Sequence, residues 1–145
     1  MVPKTPDSLL SPQGIDEKMV RTTQLGIPVI DESAWKNLAT MQRAGRPNAV
    51  QKILSAYLSD SKWLILEIRE AIQTGDAATL NAGAHQLKSA SAQVGALAAA
   101  FHAGEIERLT REQGLDAAAN LLEPLEESVE MACQFFEEKI RARAA

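Results

Sequence analysis

One long amphipathic segment constrains the fold of this chain more than any other feature of its sequence. Across residues 48–74, apolar side chains recur at intervals of three and four over about seven helical turns. They are Val50, Ile53, Leu54, Tyr57, Leu58, Leu64, Ile65, Ile68 and Ile72. This period predicts a long α-helix with one buried face, and no alternating strand pattern appears elsewhere in the chain.

Further helices are predicted on both sides of that segment. Asp31 is placed to cap a short first helix, which the stretch 44–47 ends with a glycine and a proline. After Gly75, apolar spacing and capping residues predict helices over 77–94, 96–112 and 116–143. Pro124 falls inside the last of them and should either kink it or mark its real start. Four long helices with short connections predict an all-α, antiparallel up-down four-helix bundle with a short additional N-terminal helix.

The first residues differ in composition from the rest. Residues 1–29 contain four prolines and show no sustained period, which is typical of a flexible leader or linker. We therefore expect the helical bundle domain to occupy residues 30–145.

Composition excludes several classes of function. A formal net charge of -4 with no basic stripe argues against nucleic-acid binding. No segment approaches about 20 consecutive apolar residues, and no secretory signal is visible, so no membrane partner is expected. The single cysteine, Cys133, fits a reducing compartment. We expect a cytoplasmic monomer.

The segment 81–95, NAGAHQLKSASAQVG, carries the most unusual surface in the sequence. On a helix, its core-facing stripe would include Leu80, Leu87 and Val94, and His85 would lie about 160° from Leu87. A solvated face normally carries long charged side chains, but the neighbours of His85 are short apart from Lys88. The imidazole is therefore predicted to stand exposed among small residues, which include Ala78, Ala82, Ser89 and Ala92.

This arrangement suggests a nucleophilic imidazole. A histidine with a reference pKa of about 6.5 is largely unprotonated near neutral pH, and Lys88 would offset negative charge on an attached phosphoryl group. No Gly-rich nucleotide loop or metal-ligand cluster accompanies His85, so the chain would need partners at both ends of a transfer. From these residues alone, an ordinary surface histidine explains the pattern equally well.

The stretch 84–96, AHQLKSASAQVGA, resembles the signature A-H-x-L-K-G-x-[SA]-x-x-x-G-A of histidine-containing phosphotransfer (HPt) domains. The matching residues are Ala84, His85, Leu87, Lys88, Ser91, Gly95 and Ala96. The resemblance implies that His85 accepts a phosphoryl group from the aspartate of one receiver domain and passes it to another, with Lys88 contacting the phosphoryl oxygens. It implies a phosphocarrier rather than an enzyme, with no cofactor of its own, any magnesium belonging to the receiver.

The resemblance also implies partners and a docking surface. The partners would be response-regulator receiver domains and a hybrid sensor histidine kinase. Glu107 is expected to hold the imidazole tautomer and Arg111 to meet the receiver, although ordinary surface charges explain both equally well. The predicted docking residues are Ala82, Ser89, Ala92, Gln93, Glu107 and Arg111.

Ser89 departs from the family pattern, which has glycine at that position. This departure motivates an alternative function, in which the bundle is a non-phosphorylated adaptor that binds a receiver or sensor kinase and regulates it sterically. A weaker alternative is a metal- or cofactor-binding bundle, and for that class no Glu-x-x-His pair is present. Elsewhere, we expect His102 to be a hydrogen-bonded structural histidine, the alternative being a role in proton transfer or metal binding. Phe101 lies on the exposed or half-exposed side of its helix, and we expect it to pack in the core, the alternative being a place in a receiver-docking patch. Cys133 is expected to be buried.

Overall fold

The structure, a computed structural model, describes residues 21–43 and 47–144. Their secondary structure consists of six α-helices and two isolated β-bridges. The helices are α1 (Glu32–Arg43), α2 (Pro47–Thr74), α3 (Ala77–Val94), α4 (Leu97–Glu112), α5 (Leu115–Ala119) and α6 (Leu122–Ala144). The prediction of an all-α fold is confirmed.

The four long helices α2, α3, α4 and α6 form an antiparallel bundle. Residue numbers rise along α2 as they fall along the facing α3, since Tyr57 lies against Ser91 and Ile68 against Gly83. α3 packs against α2 and α4, and α6 packs against the same two helices, so α3 and α6 occupy opposite corners. This arrangement confirms the predicted bundle.

The core takes one apolar stripe from each helix. An aromatic cluster closes the end near α1, where the rings of Trp35 and Phe135 lie 5.1 Å apart and those of Tyr57 and Phe136 lie 5.7 Å apart. The hydroxyl groups of Tyr57 and Ser91 share a buried hydrogen bond of 2.9 Å. Because a buried hydroxyl costs free energy unless it is paired, this bond fixes the register of α2 against α3.

Local signals set the helix boundaries. The carboxylate of Asp31 accepts a hydrogen bond from the Ser33 amide, and that of Asp76 accepts one from Thr79. Gly75 and Gly95 end α2 and α3 with φ values of 75° and 78°. The predicted caps are therefore confirmed, because left-handed backbone at these two points favours glycine.

Gly95 should tolerate a side chain less well than Gly75, although the two have the same conformation. A Cβ at Gly95 would lie 3.0 Å from the Ala34 Cβ, whereas one at Gly75 would meet nothing within 4 Å. We expect Gly95→Ala to lower the free energy of unfolding by about 2 kcal/mol and the matched control Gly75→Ala by about 1 kcal/mol. Urea denaturation measures both, and equal losses would show that the contact with Ala34 is unimportant.

The fifth predicted helix was wrong in extent. The structure divides 116–143 into the short α5 and the long α6, with Asn120 and Leu121 between them. Pro124 is the third residue of α6, where its missing amide hydrogen costs nothing because first-turn amides have no acceptor within the helix. Of the two roles predicted for Pro124, marking the real start is therefore confirmed. Periodicity alone continued across this break because α5 also carries a buried face.

Residues 21–29, which the sequence assigns to the leader, pack on the turn between α3 and α4. Thr22 pairs with Pro28, and the Val29 carbonyl accepts a hydrogen bond from the Leu97 amide. Val29 itself is buried. Residues 1–20 and the stretch 44–46 lie outside the described residues, and the domain boundary stays a prediction.

None of the described helices combines the length and the hydropathy that crossing a membrane requires.

Candidate functional site

α3 directs His85 away from the core. The buried residues of this helix are Leu80, Gly83, Ala84, Leu87, Ser91 and Val94. They include the whole predicted core stripe. The side chain of His85, on the opposite face, is 61% exposed.

Glu107 of α4 joins His85 to Lys88. Its Oε2 atom lies 2.6 Å from His85 Nδ1, and its Oε1 atom accepts a hydrogen bond of 2.5 Å from Lys88 Nζ. The Glu107 side chain is only 8% exposed, so these contacts take place at the edge of the core. Because an ionised carboxylate can only accept, Nδ1 carries the proton and Nε2 keeps the lone pair of the neutral ring.

The carboxylate is held in its ionised form. The hydrogen bond from Lys88 is the main cause that holds the pKa of Glu107 below its ordinary value, and the bond from His85 adds to it. Burial raises the pKa of Glu107 and is the second-largest effect, but it is smaller than the effect of the Lys88 bond. Glu107 is therefore an anion throughout the neutral range.

Two further residues position this group, and sequence reasoning missed both. The Asn81 side chain donates a hydrogen bond of 3.0 Å to the Glu107 carbonyl and so ties α3 to α4. Gly104 gives the stem of Lys88 a path across α4, since a Cβ there would lie 3.2 Å from Lys88 Cδ. A glycine inside a predicted helix was the available signal for Gly104, because it costs about 1 kcal/mol relative to alanine.

The other predicted site residues lie around this cluster on the surface. Ala82, Ser89, Ala92 and Gln93 are all exposed on α3. Arg111 is exposed near the end of α4. Among the described residues, no hydrogen bond or ion pair joins Arg111 to His85, Lys88 or Glu107.

Two predictions about α4 were wrong. Core packing was preferred for Phe101, yet its side chain is 49% exposed, which agrees with the alternative position on the exposed side of α4. His102 is buried as expected, but neither ring nitrogen has a hydrogen-bond partner within the described structure. Burial lowers the pKa of His102, while the carboxylates of Glu127 and Glu105 partly oppose that shift.

The lowered pKa of His102 makes stability depend on pH. Below the ordinary histidine value of 6.5, the unfolded chain binds a proton that the folded chain resists. We expect the free energy of unfolding to fall by up to about 1 kcal/mol per pH unit as the pH drops below that value. Urea denaturation between pH 7.5 and 5.5 measures this slope. The variant His102→Gln should lose most of it, and an unchanged slope would assign the effect to other groups.

Within the ranges that the structure covers, no group of three or more histidine, cysteine, aspartate or glutamate side chains is arranged to hold a metal ion. In the cluster of His85, Lys88 and Glu107, one carboxylate instead binds both an exposed imidazole and an ammonium group.

Comparison with solved structures supports this description. The histidine-containing phosphotransfer protein B (HptB) of Pseudomonas aeruginosa PAO1 superposes with a TM-score of 0.68 at 28% identity, covering 79% of this chain and 96% of that one. A putative histidine-containing phosphotransfer protein from rice gives 0.71 at 19% identity, covering 80% and 82%. The maize protein ZmHP2 gives 0.70 at 22% identity, covering 78% and 88%. The two plant proteins support the fold alone.

A search of curated proteins found no significant match. The Hpt domain family matches residues 52–135, which is more than half of the chain and includes the whole cluster around His85. The chain therefore belongs to the Hpt domain family and is a histidine-containing phosphotransfer protein, a phosphocarrier in a two-component phosphorelay.

Proposed function

We propose that His85 is the residue that carries the phosphoryl group between the aspartates of receiver domains. The observation that supports this proposal is the exposure of its side chain, 61%, combined with the bond from Nδ1 to Glu107. In the neutral ring that bond places the proton on Nδ1, so the nucleophilic lone pair lies on Nε2 and points away from Glu107. The only other histidine, His102, is buried, so a receiver cannot reach it.

The transfer is a displacement at phosphorus. Nε2 of His85 attacks the phosphorus of a receiver's aspartyl phosphate, the N–P bond forms, and the P–O bond to the aspartate breaks. The aspartate leaves as a carboxylate, and the imidazole ring acquires a positive charge. Glu107 stabilises that charge through the bond from Nδ1, so no proton has to leave the ring. The reverse step returns the phosphoryl group to a second aspartate.

Lys88 acts on the phosphoryl group in this scheme. Its ammonium group is bound to the carboxylate that also holds the imidazole, so it lies on the same side of α3 as the reacting ring. Once Nε2 carries a phosphoryl group, Lys88 offsets the negative charge on its oxygens. No metal ion is required from this chain, and the magnesium belongs to the acidic pocket of the receiver.

The short side chains around His85 form the docking surface for the receiver. Ala82, Ser89 and Ala92 are exposed and do not rise above the imidazole, so a concave active site can close over it. Gln93 and Arg111 extend this surface as polar contacts. Ser89 is one methylene and one hydroxyl larger than the family's glycine, which should make docking more selective. A hybrid sensor kinase would present its receiver domain to the same surface.

Phosphorylated receiver domains provide the test. The chain is incubated with each in turn, and mass spectrometry locates the phosphate on tryptic peptides. We expect an acid-labile phosphate on His85. A sterically acting adaptor would bind a receiver tightly without acquiring a phosphate, and that result with several receivers would contradict the proposal.

A further inference from the structure

A long groove runs between α2 and α6. It has a volume of about 550 Å³. Its floor is apolar, formed by the buried side chains of Ile65, Val129 and Cys133. Leu66 forms part of the α2 wall and is 50% exposed, and Trp63, one turn before it on the helix surface, is 70% exposed. These are two of the largest exposed apolar side chains on the described surface, and they lie together.

The walls of the α2–α6 groove carry different charges. The α6 wall presents the carboxylates of Glu126, Glu130 and Glu137. Glu126 is bound by Arg69, but among the described residues neither Glu130 nor Glu137 has an ion-pair partner. They are seven residues apart, so they stand two helical turns from each other along one edge of the groove. The α2 wall contributes one cation, Lys62.

We propose that the α2–α6 groove binds an amphipathic helix of another protein, with an apolar stripe on the floor and basic residues along the flank facing α6. Two antiparallel helices that expose an apolar channel between them form the kind of groove into which a third helix packs. Basic residues at positions i and i+7 of that helix would meet Glu130 and Glu137 with the same two-turn spacing. The apolar floor supplies affinity, and the charged edge sets the orientation.

Charge disfavours the two occupants that the chain itself offers. Residues 1–20 carry two lysines against three carboxylates, a net side-chain charge of −1, so they supply no basic flank. A second copy placed symmetrically on the groove would bring the α6 wall of each chain against a surface whose overall charge is also negative. A partner helix with basic residues carries the charge opposite to that of the α6 wall and is therefore attracted to it.

The groove is separate from the phosphotransfer site. His85, Lys88 and Glu107 lie on the α3–α4 side of the bundle, and the groove lies on the α2–α6 side. A partner helix in the groove therefore leaves His85 free to meet a receiver. The inference does not depend on the identity of the phosphorylated residue, so failure of one leaves the other intact.

Titration of the ¹⁵N-labelled full-length chain with a synthetic peptide tests the proposal. The peptide is a helix of about five turns with a leucine stripe and lysines along one flank. We expect shifts at the indole N–H of Trp63 and at backbone amides of α2 and α6 that line the groove. The indole N–H of Trp35, which is 3% exposed, and the amides around His85 should not move. A peptide with glutamates in place of the lysines should not bind.

Variants separate the apolar and charged contributions. Leu66→Glu should weaken binding of the basic peptide at least tenfold, because it removes an apolar side chain from the wall of the groove. Leu66 is 50% exposed, so its side chain can be changed without disturbing the core. The double variant Glu130→Lys/Glu137→Lys should lose about tenfold for the basic peptide and gain about as much for the acidic one. Asp116→Lys/Glu123→Lys changes net charge equally at exposed positions outside the groove and should bind like wild type.

Three results would overturn the proposal. The first is equal binding of the basic and acidic peptides to wild type. The second is a set of shifts centred on the α3–α4 side of the bundle. The third is concentration-dependent broadening of the Trp63 indole signal without peptide, which would assign the groove to a second copy of the chain.

Discussion

His85→Gln is expected to abolish phosphorylation of this chain by receiver domains. The carboxamide nitrogen of glutamine has its lone pair delocalised into the carbonyl group, so it cannot displace the aspartate from phosphorus. Glutamine also matches the size and polarity of histidine, and the site is exposed, so the bundle should fold unchanged. Labelling from a phosphorylated receiver, measured over a time course, should fall below detection.

Receiver binding provides the control for that experiment. The proposed docking surface consists of the short residues around His85, so His85→Gln should still bind the receiver with nearly the affinity of wild type. Glu112→Gln, an exposed substitution on α4, should be labelled normally. Labelling of His85→Gln at the wild-type rate would show that another residue accepts the phosphoryl group.

Glu107→Gln is expected to slow phosphoryl transfer by about 10²-fold without abolishing it. The carboxamide can either accept or donate at Nδ1, so it no longer fixes the tautomer that leaves the lone pair on Nε2. It also carries no charge with which to stabilise the ring as the N–P bond forms. Rapid-quench measurement of the transfer rate from a phosphorylated receiver gives the size of the effect.

A second measurement distinguishes positioning from a loss of stability. The ¹⁵N chemical shifts of the His85 ring report which nitrogen carries the proton. In wild type, Nδ1 should be protonated, and in Glu107→Gln the two tautomers should be mixed. Glu112→Gln makes the same chemical change on the same helix without touching His85, and it should alter neither the shifts nor the rate. A slower Glu107→Gln variant with unchanged ring shifts would contradict a positioning role.

Glu107 also links the state of His85 to that of Lys88. In the unphosphorylated protein, its two carboxylate oxygens are divided between the imidazole and the ammonium group. A phosphoryl group on Nε2 would compete with Glu107 for Lys88, because both carry negative charge within reach of the same cation. In the proposed mechanism, the ion pair therefore holds Lys88 close to the phosphoryl group before transfer.

Much of the fold could be predicted because helix formation depends on local sequence. The spacing of apolar residues located α2, and Asp76 and Gly95 located the ends of α3. The same periodicity placed His85 on the exposed face, since direction around a helix follows from residue number alone. The break between α5 and α6 was less clear, because apolar residues continue through it and only Pro124 indicated it.

The sequence by itself determined the helices, the bundle class and the exposed imidazole of His85 among short residues. Only the tertiary structure decided that Glu107 is buried and holds both His85 and Lys88, because that contact depends on the register of α4 against α3. The register is set by packing and by contacts such as Asn81 with the Glu107 carbonyl, which join residues 26 positions apart. For the same reason, the sequence did not show that the ring nitrogens of His102 lack hydrogen-bond partners among the described residues, or that a groove lies between α2 and α6. Periodicity determines which face of a helix is apolar, but the fit between neighbouring helices decides which polar side chains meet.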